Sequence, residues 1–187
     1  MTVSEAPARR PRRHDPGRRD RLVATALDVV AEQGVAGATH RAIARAADVP
    51  LGSITYHFAS LDELLSAAFT LHVDTVAPRF DERMRGARDS DAVLEYLVDH
   101  LTGDLLGSAR DLVLTVELYV AAARNPALRA VTQDWMARSR RSLERHFDPV
   151  TARELDALVE GLVLHSALST DPMDRDQIRH ALARFAR

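Results

Sequence analysis

The residues best placed to do chemistry crowd between positions 39 and 58, in the run THRAIARAADVPLGSITYHF. Thr39, His40 and Arg41 open it, and Leu51, Gly52, Ser53, Thr55, Tyr56 and His57 lie towards its end. Most of these side chains are small or form hydrogen bonds, a set suited to recognition. Bond-making signatures are missing from the rest of the chain: there is no cysteine, no glycine-rich phosphate loop, no G-x-S-x-G and no H-E-x-x-H. The eight histidines are scattered without metal-ligand spacing, so neither a metal nor a cofactor is expected. A short helix with a small-residue face can approach a DNA major groove closely.

Two short helices must hold these groups. Thr39 is a natural N-cap, and Ile43, Ala44 and Ala47 form the apolar stripe of a helix barely two turns long. Asp48 tolerates the left-handed backbone of a tight interhelical turn, Val49 plugs the corner, and Pro50 presets φ for the next helix. That second helix spans 51–57, with Ile54 and Phe58 as its buried pair.

The segment resembles the TetR family of one-component transcriptional regulators, whose pattern runs T-x-x-x-I-A-x-x-A-G-V-S-x-G-[ST]-[LI]-Y-x-H-F-x-[SN]-K-x-x-L-L. Thr39, Ile43, Ala44, Ala47, Val49, Gly52, Ser53, Ile54, His57, Phe58, Ser60, Leu64 and Leu65 match it at fixed spacing. Four positions depart: Asp48 replaces Gly, Pro50 replaces Ser, Thr55 replaces a phosphate-binding Tyr and Leu61 a phosphate-binding Lys. By resemblance, Thr39 and His40 touch phosphate, and Arg41 can fork onto guanine O6 and N7. Leu51, Gly52 and Thr55 then face base edges, while Ser53, Tyr56 and His57 hold the sugar-phosphate rail. With Thr55 and Leu61 lacking the usual anchors, Tyr56, His57 and nearby arginines are left to supply the grip.

Composition agrees with such a reading. The 187 residues are 46% hydrophobic and 5% aromatic, enough for a good core built from Ala, Leu and Val. The absence of cysteine, of a secretory signal and of an apolar run long enough to span a bilayer leads to the expectation of a cytoplasmic, membrane-free protein. Net charge is −2, yet residues 1–60 hold nine Arg against six acids, so a basic head joins an acidic body.

Apolar periodicity is helical almost throughout, giving an all-α fold of about nine helices. Residues 1–17, rich in Arg and Pro, read as a flexible basic arm that is either a solvated tail or a minor-groove contact. Residues 18–59 form a three-helix helix-turn-helix domain, its first helix stopped by Gly34. Residues 60–187 form a larger helical domain that begins with a connecting helix over 60–84. From there helices are expected over 91–106, 111–124, 127–146, 151–169 and 174–187.

The resemblance implies a ligand pocket and a homodimer in this larger part. Pocket candidates are polar or large residues on otherwise apolar helices: Glu117, Tyr119, Trp135 and Arg138, with Leu97 and Leu101 as walls. Glu117 stands out, because a carboxylate within an apolar run needs a partner or a ligand. His165 is a core or interface histidine or a further ligand contact. A four-helix dimer interface would use Leu155, Leu158, Val159, Leu162 and Val163 with Ile178, Leu182 and Phe185, faces that could equally be core. The expectation is a repressor released from a palindromic DNA operator by a small hydrophobic effector. The alternative is a helical protein-interaction adaptor.

Overall fold

A computed structural model describes residues 16–104 and 109–185 of the chain. The proposed minor-groove arm lies almost wholly outside these residues. The fold is all-α, and among the described residues nine α-helices follow one another without a strand.

The helices are α1 (Arg18–Gly37), α2 (His40–Ala46), α3 (Leu51–His57), α4 (Leu61–Gly86) and α5 (Ser90–Asp99). They continue as α6 (Ala109–Ala122), α7 (Pro126–Leu143), α8 (Pro149–Leu168) and α9 (Arg175–Leu182). Local chemistry explains many boundaries. Asp89, Asn125, Asp148 and Asp174 each accept a backbone N–H at a helix start, and Pro126 and Pro149 occupy first turns where no N–H is needed. Two helix ends change type relative to expectation. The helix expected over 91–106 ends at Asp99 and passes into a π-helical turn, His100–Asp104, and α9 closes in a 3-10 turn, Ala183–Phe185.

Gly34 breaks α1 as its residue type suggests, with φ 70 and ψ 171, and one further turn continues to Gly37. Leu22, Ala26, Val29 and Val30 face inward from α1, meeting Ile43 of α2, Ile54 of α3 and Leu64, Ala68 and Phe69 of α4. This first core continues into Leu114 and Leu118 of α6 and Leu128 of α7, so the small head is packed directly on the body. A second core joins Met84, Val93, Leu97, Leu101 and Leu143 to Leu155, Leu162, Ile178 and Leu182. No described helix is long and apolar enough to cross a membrane.

Candidate functional site

The turn between α2 and α3 is set by Asp48, the one non-glycine described residue with positive φ, at 51°. Val49 N–H donates to the Ala44 carbonyl at 3.0 Å, closing the corner. Thr39 caps α2 by accepting the Ala42 N–H at 3.1 Å, which leaves its hydroxyl proton for an outside acceptor. On α3 Ile54 is buried, as is Phe58 just after the helix, while Leu51, Gly52, Thr55 and Tyr56 are exposed. Tyr56 is 84% exposed, packing only its edge against His57, ring centroids 5.0 Å apart.

Thr39, His40 and Arg41 converge with Leu51 and Thr55 on one shallow depression. The start of α2 and the outer face of α3 therefore form a common surface. A methyl group added at Gly52 would meet nothing within 4 Å, so the chain's own packing does not demand glycine there. Leu61, where a lysine would be expected by resemblance, packs instead against the first core.

Below the head, helices α4 to α8 line a half-open cavity of about 1410 Å³. Of the sequence candidates, Tyr119, Trp135 and Arg138 line it. Trp135 stacks on Tyr119 at 15° and 6.1 Å, and meets His72 edge-on at 5.8 Å. The Tyr119 hydroxyl donates to Glu160 Oε1 on α8. Burial and the Glu160 charge push the phenol above its ordinary range, so it remains protonated.

Among the cavity groups that escaped the sequence reading are His72, Asp156 and Glu160. Burial raises both carboxyls, opposed at Glu160 by the Tyr119 hydrogen bond and at Asp156 by Ser139 and Arg140. Burial lowers the His72 imidazole despite Asp111 Oδ1 at 3.8 Å from Nδ1, and keeps the ring neutral. The signal was present, since Asp156 and Glu160 sit four apart within LDALVEGLVL, an apolar run interrupted as that around Glu117 is.

The remaining candidates go elsewhere. Leu97 and Leu101 are fully buried in the second core, where packing leaves no surface for a ligand. Glu117 points to the head: its Oε2 accepts the Val35 N–H at 2.7 Å, a donor freed by the break at Gly34. His165 is exposed on α8 and outside the cavity wall. The residues expected at the dimer face divide by burial. Leu155, Leu162, Val163, Ile178 and Leu182 are buried within the chain, with Leu158, Val159 and Phe185 packed against them, because α5 and the end of α4 already cover that face. Val150, Ala157, Leu164 and Leu168 are exposed on the other side of α8.

Comparison with known proteins places these features. Residues 22–68 match the model for bacterial regulatory proteins of the tetR family, and residues 88–187 match the tetracyclin repressor-like C-terminal domain. The SCO7518 protein of Streptomyces coelicolor A3(2) is 50% identical with a TM-score of 0.86, covering 91% of this chain and 99% of its own. The multidrug binding protein EbrR, in complex with ethidium, is 38% identical with a TM-score of 0.75 over 92% of this chain and 99% of its own. The regulator CymR of Pseudomonas putida is 32% identical over 120 residues, 64% of this chain and 58% of CymR. With matching models over both its head and its body, the chain belongs to the TetR family and is a ligand-responsive, helix-turn-helix transcriptional regulator.

Proposed function

We propose that the protein is a homodimeric repressor that leaves a palindromic operator when a small hydrophobic molecule enters the cavity among α4 to α8. The observation that carries this reading is the dual attachment of α6. Its Tyr119 forms cavity wall, and two residues earlier Glu117 holds the backbone of the head at Val35. Arg110, on the same helix, pairs with Asp28 of α1 at 2.5 Å. A ligand that displaces α6 therefore pulls on α1, while α4, whose 72–83 stretch contributes to the cavity wall, carries the motion to α3.

On DNA, Arg41 would read guanine, Leu51, Gly52 and Thr55 would face base edges, and Thr39, His40, Ser53, Tyr56 and His57 would hold the backbone. The second copy would dock on α8 through Val150, Ala157, Gly161, Leu164 and Leu168. Steps of seven, four, three and four place these residues on one narrow stripe. Ala157, Gly161 and Leu164 also border the cavity, so the partner would cover that side of it. The two recognition helices would then sit about one DNA turn, ~34 Å, apart.

For release, the effector must favour the spread dimer by about 1–3 kcal/mol over the DNA-competent one. The EbrR complexes with ethidium, proflavin and malachite green support a hydrophobic aromatic effector here as well. Selection from random duplexes, followed by a screen of such compounds for release of the selected DNA, tests the proposal. Recovery of a palindrome whose binding weakens steeply with salt is expected. Failure to select any sequence at low salt refutes it.

A further inference from the structure

Arg19 is exposed in the first turn of α1, and its guanidinium forms no ion pair or hydrogen bond among the described residues. A cation there meets the positive end of the helix dipole, so its charge works against the helix. Arg45, also exposed, lies in the last turn of α2, where the same charge is favourable. Folding alone therefore gives a reason for the charge of Arg45 and none for that of Arg19. Arg19 does make one specific contact: its guanidinium carbon stands over the ring of Phe58, 4.9 Å from the centroid. Phe58 is 2% exposed and is held at the end of α3 by its N–H, which donates to the Ile54 carbonyl at 2.9 Å.

That contact fixes where the charge stands. Phe58 directly follows Tyr56 and His57 and closes α3, so a guanidinium carried by α1 is delivered to the C-terminal end of the outward-facing helix. Stacking on a buried ring restrains the long side chain before any partner arrives, and it leaves the fork of N–H donors open. The acids nearest in sequence do not claim it: Glu63 accepts the Ala59 N–H at 2.8 Å, and neither Asp20 nor Asp62 pairs with Arg19. Leu61, at the start of α4, packs against the first core and brings no charge to this edge of the surface. An unpaired guanidinium held beside exposed Tyr56 suits a phosphate oxygen, which it can bind through two N–H groups at once.

We infer that Arg19 grips a backbone phosphate of the operator on the Tyr56–His57 side of α3, supplying from α1 the cation that Leu61 does not. Such a contact fixes the register of the head on the duplex and reads no base. The inference rests on the DNA reading of the head. It adds to that surface a residue from outside the helix-turn-helix, with Phe58 as the platform that positions it.

The test uses the full chain and the duplex that the unmodified protein selects, with affinity measured by anisotropy across a salt series. Arg19→Gln should weaken binding about tenfold at about 0.1 M salt and reduce the slope of log affinity against log salt by about 1.8, or about 0.9 for each of two copies. Arg19→Lys keeps the charge and should keep the slope. Competition among single-base operator variants should give the same base preference for Arg19→Gln as for the unmodified protein, and its melting temperature should stay within about 4 °C. Unchanged affinity and slope in Arg19→Gln overturn the inference. Weaker binding at an unchanged slope, a slope lost in the lysine variant as well, or an altered base preference also overturns it. Failure of the unmodified protein to select any duplex is a different result, which removes the DNA reading itself.

Discussion

Gly52 and Arg41 are the residues at which the DNA-reading proposal is most exposed to test. An added methyl at Gly52 meets open space, and alanine is the better helix former by about 1 kcal/mol. Gly52→Ala should therefore raise the melting temperature slightly while weakening operator binding, because only the approaching groove would contact the methyl. Unchanged operator affinity by fluorescence anisotropy would remove Gly52 from the interface. Arg41→Ala should flatten the preference for one base position, worth about 1–3 kcal/mol, whereas Tyr56→Phe should weaken all sequences alike. Competition among single-base operator variants separates the two.

At the same scale, Glu160 links pH to stability. Its folded carboxyl is raised by burial, with Asp156 acting in the same sense and Tyr119 and Arg140 opposing. Tyr119 stays protonated and His72 neutral, each held so by its own burial. Between the ordinary and the raised value the folded state holds more protons than the unfolded one, so stability falls as pH rises through that window. Glu160→Gln should raise the neutral-pH melting temperature of the free protein and flatten this slope. Calorimetric melting from acid to neutral pH checks the sign: stability that rises across the window excludes a raised Glu160 carboxyl.

At the scale of the element, α6 is the strap between cavity and head. The Glu117 hydrogen bond to Val35 exists because Gly34 takes a positive φ and releases the backbone N–H from the helix. Glu117→Ala should cost about 1–3 kcal/mol of stability by leaving that donor unpaired. It should also lower the ratio of effector affinities measured with and without operator, while the cavity residues stay intact. Isothermal titration in both conditions measures the coupling. A Glu117→Ala protein that is destabilised yet fully coupled would show the bond to be structural alone. Sequence reading identified Glu117 as a carboxylate in need of a partner or a ligand and placed it among the pocket candidates. Nothing in the local sequence says that residue 35, 82 positions away, supplies the N–H.

At the scale of the whole molecule, two hydrophobic cores and the cavity between them occupy one chain, and the outward stripe of α8 is where a second copy is proposed to attach. Leu168 is 72% exposed at the end of the outward stripe. Leu164→Arg with Leu168→Arg should give a folded monomer with strongly reduced operator affinity, seen by light scattering and anisotropy, since each half-site must then be bound separately. A dimer that survives both charges places the interface elsewhere.

The sequence by itself determined the helices and the helix-turn-helix, because capping, apolar periodicity and turn chemistry act over a few residues. Asp48, Pro50, Ile54 and Phe58 carry their roles in their types and spacing. Only the tertiary structure decided which apolar face of α8 becomes core, because Leu155 and Leu162 are as hydrophobic as Leu164 and Leu168. It likewise brought His72, Tyr119, Trp135, Asp156 and Glu160 to one cavity. Those residues come from four helices, and their approach depends on helix packing at long range, where periodicity supplies a direction for each side chain but no partner.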